Sequence, residues 1–204
     1  MDVDADNPGT LLGLRLASDG GARVSFREAF ERAWVEASRH LSDPDGTPGY
    51  VLAAVHESER PAVLWLDPSD AQARHATVGR HSECDLRLAE DGSVSLRHLL
   101  ASTWIQDGRP RLRLLDLRTP TGLVLEDDTC SPGGLSTDGC AFTRLGSWTL
   151  LCLWRGAEPW PGDVSAAWSS MPAREHAVVP SLAPRLRIRS QLRLLTGQTA
   201  EGQT

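Results

Sequence analysis

Arg80 and Ser95 stand 15 positions apart in this 204-residue chain, each at the edge of an apolar, β-prone run. Arg80 closes Val78-Gly79-Arg80, between Ala62-Val63-Leu64-Trp65-Leu66 and Asp85-Leu86-Arg87-Leu88. Ser95 opens Ser95-Leu96-Arg97-His98, ahead of Leu99-Leu100-Ala101-Ser102-Thr103-Trp104-Ile105. A glycine where the backbone turns, a fixed guanidinium and a hydroxyl on the next loop could together grip one phosphate. Arg offers a planar fork of donors that fits phosphate oxygens, and Ser adds one more. The set points to a reader of phosphorylated peptides rather than to a catalyst. Each residue alone has a plainer reading: Arg80 as a surface cation pairing with Asp85 or Glu83, Ser95 as a turn residue, and His98 as a satisfied core histidine.

Other chemistries find no residues to carry them. The sequence has no nucleophile elbow, no phosphate-cradling Gly loop with Lys and no His-Glu metal helix. Gly133-Gly134-Leu135-Ser136-Thr137-Asp138-Gly139 reads as a hairpin connection. Cys84, Cys130, Cys140 and Cys152 form no Cys-x-x-Cys pair and read as free thiols. His81 and Cys84 have ligand-like spacing, but no second pair follows. The expectation is no catalytic residue, no metal and no cofactor.

All 21 basic residues are Arg, as a GC-rich and bacterial genome would favour, so any anion site is built from Arg, amides and hydroxyls. A net charge of −6 argues against a nucleic-acid partner. No apolar run reaches the roughly 18 residues that span a bilayer, so no membrane insertion is expected. Met1-Asp2-Val3-Asp4-Ala5-Asp6 lacks an apolar signal region, and the expected location is cytoplasmic.

The elements that must position these residues divide the chain into three. Residues 1–60 read as an N-terminal α/β extension: a β-hairpin around Ser18-Asp19-Gly20-Gly21, a helix over 26–41 and a strand at Val51–Val55. Ser25 and Glu28 have capping-box spacing, and Phe26, Phe30, Ala33, Trp34 and Ala37 share one helical face. Exposure of Phe30 and Trp34 would make that helix a docking element. Residues 61–155 carry short apolar runs every 8 to 15 residues, separated by Asp, Gly, Pro and Ser, the mark of a β-sandwich. Residues 156–204 form a Pro/Ala/Ser-rich basic tail, largely irregular, with six Arg against four acids counted from Arg155. Within it, Arg185-Leu186-Arg187-Ile188-Arg189 alternates like an added strand. The fold class is therefore mainly β.

Residues 61–155 resemble a forkhead-associated domain, the β-sandwich module that binds phosphothreonine peptides. The matching pattern is Gly79-Arg80, Asp85, Ser95-x-x-His98, then Asp116 and the turn Thr119-Pro120-Thr121-Gly122. The resemblance implies that Arg80 binds phosphate and Ser95 donates to it. Gly79, His98 and Gly122 would be structural. Thr119 and Thr121 stand where the family carries Ser and Asn, and Arg97 could supply a charge that Leu96 lacks. A Thr hydroxyl cannot offer donor and acceptor on separate atoms as Asn does, which would weaken the hold on the peptide by about three- to tenfold. The implied partner is a phosphothreonine protein, a Ser/Thr kinase or its substrate, in signalling. Self-association through the helix or a tail threonine (Thr196, Thr199, Thr204) is a further expectation. The alternative is a degenerate scaffold that binds its partner without phosphate.

Overall fold

A serine starts the first element: the Ser25 hydroxyl accepts the Glu28 backbone N–H at 3.1 Å, and α1 runs from Phe26 to Leu41. The computed structural model describes residues 24–68, 74–89, 91–172, 174 and 176–180. Most of the expected hairpin, the alternating segment 185–189 and the tail threonines lie outside these residues.

After α1 come β1 (Gly49–Val55), β2 (Ala62–Leu66), β3 (Arg74–Gly79), β4 (Leu86–Arg87), β5 (Leu99–Gln106) and β6 (Arg109–Asp116). They are followed by β7 (Leu123–Leu125), β8 (Cys130–Ser131), β9 (Gly134–Thr137), β10 (Ala141–Leu145) and β11 (Trp148–Arg155). A short helix α2 (Val164–Ser170) and strand β12 (Ala177–Val178) close the described chain. The strands form two six-stranded sheets, ordered β2-β1-β11-β10-β7-β8 and β12-β9-β6-β5-β3-β4. Every neighbouring pair with a defined register is antiparallel except β3 with β4. The architecture is the expected mainly-β sandwich.

Between the sheets, Tyr50, Leu52, Leu150 and Cys152 of one pack against Val78, Leu99, Ala101, Leu112 and Leu114 of the other. Outside the first sheet lies α1, whose buried face is Ala29, Phe30, Ala33, Trp34, Ala37 and Leu41. Small residues at 29, 33 and 37 let the helix settle onto Val51, Ala53, Val55, Leu151 and Leu153. All seven residues of β1 are buried, because that sheet is covered on both faces. The expected extension thus contributes a helix and a strand, β1, to the sandwich body. Phe30 and Trp34 are interior, which removes the docking role their exposure would have given the helix.

The tail departs from the expectation at its start. Trp160 is buried, its N–H donates to Leu41 O at 2.8 Å, and its ring N–H reaches Trp154 O at 3.1 Å. Trp168 on α2 lies 5.3 Å from Phe30, centroid to centroid, and β12 pairs with β9. Aromatic burial holds this Pro-rich stretch where hydropathy alone shows no run. Among the described residues no helix is long and apolar enough to cross a membrane.

Candidate functional site

Three loops meet at one end of the sandwich: residues 80–85 between β3 and β4, 88–98 between β4 and β5, and 117–122 between β6 and β7. Arg80 and Ser95 are joined directly, since the Arg80 backbone N–H donates to Ser95 O at 3.1 Å, and His81 N–H donates to Leu96 O at 3.0 Å. Arg80 is exposed and Ser95 half-buried. Among the described residues, the carboxylates of the same loop are occupied elsewhere. Asp85 accepts the Thr77 N–H at 2.7 Å and the Thr77 hydroxyl at 2.8 Å, donors that hold its pKa below the ordinary carboxylate value. Glu83 lies 3.8 Å from Arg97. Among the described residues neither the Arg80 guanidinium nor the Ser95 hydroxyl has a partner, so both stay available to a ligand.

Gly79 has its place for lack of room. A Cβ there would stand 2.5 Å from Leu96 O and 2.9 Å from His98 N. The expected tight turn is in fact a close approach of two loops, and only a residue without a side chain permits it.

His98 is fully buried beneath the loops. The Ser95 N–H donates, so His98 Nδ1 at 3.1 Å is an acceptor without a proton. The ring proton then sits on Nε2, facing Thr119 Oγ1 at 3.0 Å and Gly122 O at 3.4 Å. Thr119 gives its own proton to Asp116 Oδ2 at 2.7 Å and accepts the Gly122 N–H at 3.1 Å. Burial holds the His98 pKa below its ordinary 6.5, against the raising pull of the Gly122 carbonyl and of Asp116. The ring is neutral although Asp116 lies only 3.7 Å away. Gly122, at φ +62°, sits in the left-handed region that suits glycine.

The structure thus separates the residues singled out from sequence. Arg80, Ser95, Thr121 and Arg97 lie on the rim. Gly79, His98 and Gly122 lie beneath it. Thr119, expected on the rim, commits its hydroxyl to Asp116 and works with the lower group. Among the described residues the Thr121 hydroxyl reaches Ser93 O, at 3.5 Å.

Two residues carried no expectation of a role. Asp91 accepts the N–H and hydroxyl of both Ser93 (2.7 and 2.5 Å) and Ser147 (2.8 and 2.5 Å). Burial pushes its carboxyl up, but these four donors outweigh it and leave a pKa of about 2. Asp91 thereby ties the 88–98 loop to the β10–β11 turn. Asp91-Gly92-Ser93 is visible as turn chemistry, but a partner 56 residues away is not. The other is Arg87, which lines an open cleft of about 370 Å³ together with Arg80, Ala89, Asp91 and Gly92.

No family model and no curated protein matches this chain. Among solved structures it is similar to the FHA domain of CT664 from Chlamydia trachomatis, at 20% identity and a TM-score of 0.40 over 52% of this chain and 96% of that one. It is similar to Mycobacterium tuberculosis Rv1747 FHA-1, at 21% identity and a TM-score of 0.37 over 54% and 100%. A third is the N-terminal FHA domain of Rad53p from S. cerevisiae, in complex with a phosphothreonine peptide, at 16% identity and a TM-score of 0.39 over 51% and 93%.

Proposed function

We propose that this chain is a phosphothreonine-peptide-binding module that acts by recognition and carries out no catalysis. The observation that carries the reading is the pairing of an uncompensated guanidinium, Arg80, with a free hydroxyl, Ser95, on loops joined by their own backbones. A dianionic phosphate placed there takes charge-assisted hydrogen bonds worth about 1.5–3 kcal/mol each, whereas an unmodified threonine takes almost none. The loops are ordered before any ligand arrives, because neutral His98 and Thr119 fix them from below. Little ordering entropy is then left to oppose binding. Arg97 and Thr121 sit where they would meet the residues beside the phosphothreonine. The preference for threonine over serine rests on the sequence resemblance. Its natural ligand is a phosphothreonine-bearing protein, such as a Ser/Thr kinase or a kinase substrate, and the site of action is the cytoplasm.

The deciding experiment passes a phosphothreonine peptide library and its unphosphorylated twin over the full chain. The phosphorylated library is retained and the twin is not. Arg80→Ala lowers retention by on the order of tenfold to a hundredfold, with an unchanged circular dichroism spectrum, since the side chain is exposed.

A second reading is favoured by the third loop, where both hydroxyls are turned to the protein, Thr119 to Asp116 and Thr121 to Ser93 O. On that reading the chain is a scaffold that holds its partner without phosphate. Equal retention of both libraries, untouched by Arg80→Ala, would establish it.

A further inference from the structure

Arg87 has no part in the reading above. Leu86 and Leu88 on either side of it are buried, so strand alternation turns Arg87 outward. β3 and β4 run parallel there, with Gly79 paired to Arg87 and Leu88 N–H donating to Gly79 O at 2.8 Å. Arg87 therefore stands one strand spacing, about 4.8 Å, from the residue that precedes Arg80. Both residues line the same open cleft of about 370 Å³. That volume is on the order of ten waters, room for more than a single phosphate group.

Among the described residues the charges in this cleft do not balance. Among the described residues neither guanidinium has a carboxylate partner. Among the described residues lining the cleft, Asp91 on the same wall is the one anion, and both of its oxygens already accept from Ser93 and Ser147. Two cations held close repel one another unless a counter-charge joins them.

We infer that Arg87 reads a second anionic group on the same peptide, a side-chain carboxylate or a second phosphate, lying in the cleft beside the phosphothreonine on Arg80 and Ser95. This rests on the phosphopeptide reading and adds its specificity. Arg87 sets which phosphothreonine peptides are chosen. Arg80 sets whether any is held.

The test measures affinities of the full chain for three kinds of peptide. One has a single phosphothreonine in neutral flanks. A second set places Asp or Glu at each flanking position in turn, and a third places a second phosphothreonine there. At one position the added charge tightens binding by about tenfold, the worth of one charge-assisted contact. Arg87→Gln removes that gain and leaves the neutral-flank peptide within about twofold of the parent, the precision with which single contacts are apportioned. Whether the carboxylate or the phosphate arm shows the gain identifies the source of the charge. If no added charge helps, or if Arg87→Gln weakens every peptide equally, the inference is overturned while the phosphopeptide reading stands. If the neutral-flank phosphopeptide does not bind the parent chain, both fall together.

Discussion

The ring of His98 donates from Nε2 to the hydroxyl of Thr119 at 3.0 Å, and that hydroxyl in turn donates a hydrogen bond to Asp116. One buried side chain thus fixes the relation between the 88–98 loop, through the Ser95 N–H, and the 117–122 loop, through Thr119 and Gly122.

Replacing the hydroxyl tests this link. Thr119→Val keeps the shape of the side chain but leaves the Gly122 N–H and an Asp116 oxygen unpaired, and leaves the His98 ring N–H only its longer contact to Gly122 O at 3.4 Å. Unsatisfied buried groups cost roughly 1–3 kcal/mol apiece, and partial relaxation sets the expected loss at about 2–4 kcal/mol by urea unfolding. Thr119→Ser keeps the hydroxyl and loses one methyl, about 0.8 kcal/mol. Equal losses for the two variants would show that the hydroxyl is not what fixes the loop.

The neutral state of His98 makes stability depend on acid. Its folded pKa lies below the ordinary 6.5, so the unfolded chain takes up a proton that the native chain refuses. This contribution is fully present above pH 6.5 and is lost as the pH falls from there toward the folded value. The slope is at most about 1.4 kcal/mol per pH unit. Denaturant midpoints taken from pH 7.5 downward should show the decline, and His98→Gln should flatten it. A slope that survives the substitution belongs to some other group.

Two glycines of neighbouring loops should behave in opposite ways. Gly79→Ala puts a methyl 2.5 Å from a carbonyl oxygen, and overpacking against backbone costs about 1–3 kcal/mol or more. Gly92 has nothing within 4 Å of its missing Cβ, and Gly92→Ala should stay within about 0.5 kcal/mol of the parent. Thermal midpoints of the two variants decide the matter.

Trp160 joins the Pro-rich segment to the sandwich, its ring 6.3 Å from that of Phe30 and 6.3 Å from that of Trp34. Trp160→Ala should cost about 3–5 kcal/mol, as large aromatic truncations in cores do. Limited proteolysis should then cut near residues 156–172 in the variant before it cuts in the parent.

What was legible in the sequence was what depends on near neighbours. Ser25, Glu28 and the apolar spacing from Phe26 to Ala37 are local facts, and α1, which runs from Phe26 to Leu41, starts at that serine cap and buries that face. Arg80 and Ser95 are legible because each marks the edge of a strand. The tilt of the Thr119 hydroxyl was within reach, since Asp116-x-x-Thr119 spacing allows a carboxylate to take both the N–H and the hydroxyl of a residue three positions on. The resemblance implies an outward, phosphate-facing role for Thr119 instead. Asp91 with Ser147, Trp160 with Leu41, and the cleft shared by Arg80 and Arg87 could not be read, because each depends on parts of the chain brought together only by the fold.

The helix laid over one sheet leaves the two sheets under unequal constraint. In β1 all seven positions are enclosed, whereas in β5 enclosed positions alternate with partly open ones along the first six residues. A complete substitution scan of this chain should therefore show β1 as one unbroken intolerant block and β5 as a striped one. Drift among descendants of this sequence would gather at every second residue of β5, in the sheet that no described helix covers, and at the rim of the loops, where ligand choice can change without disturbing the body that carries it.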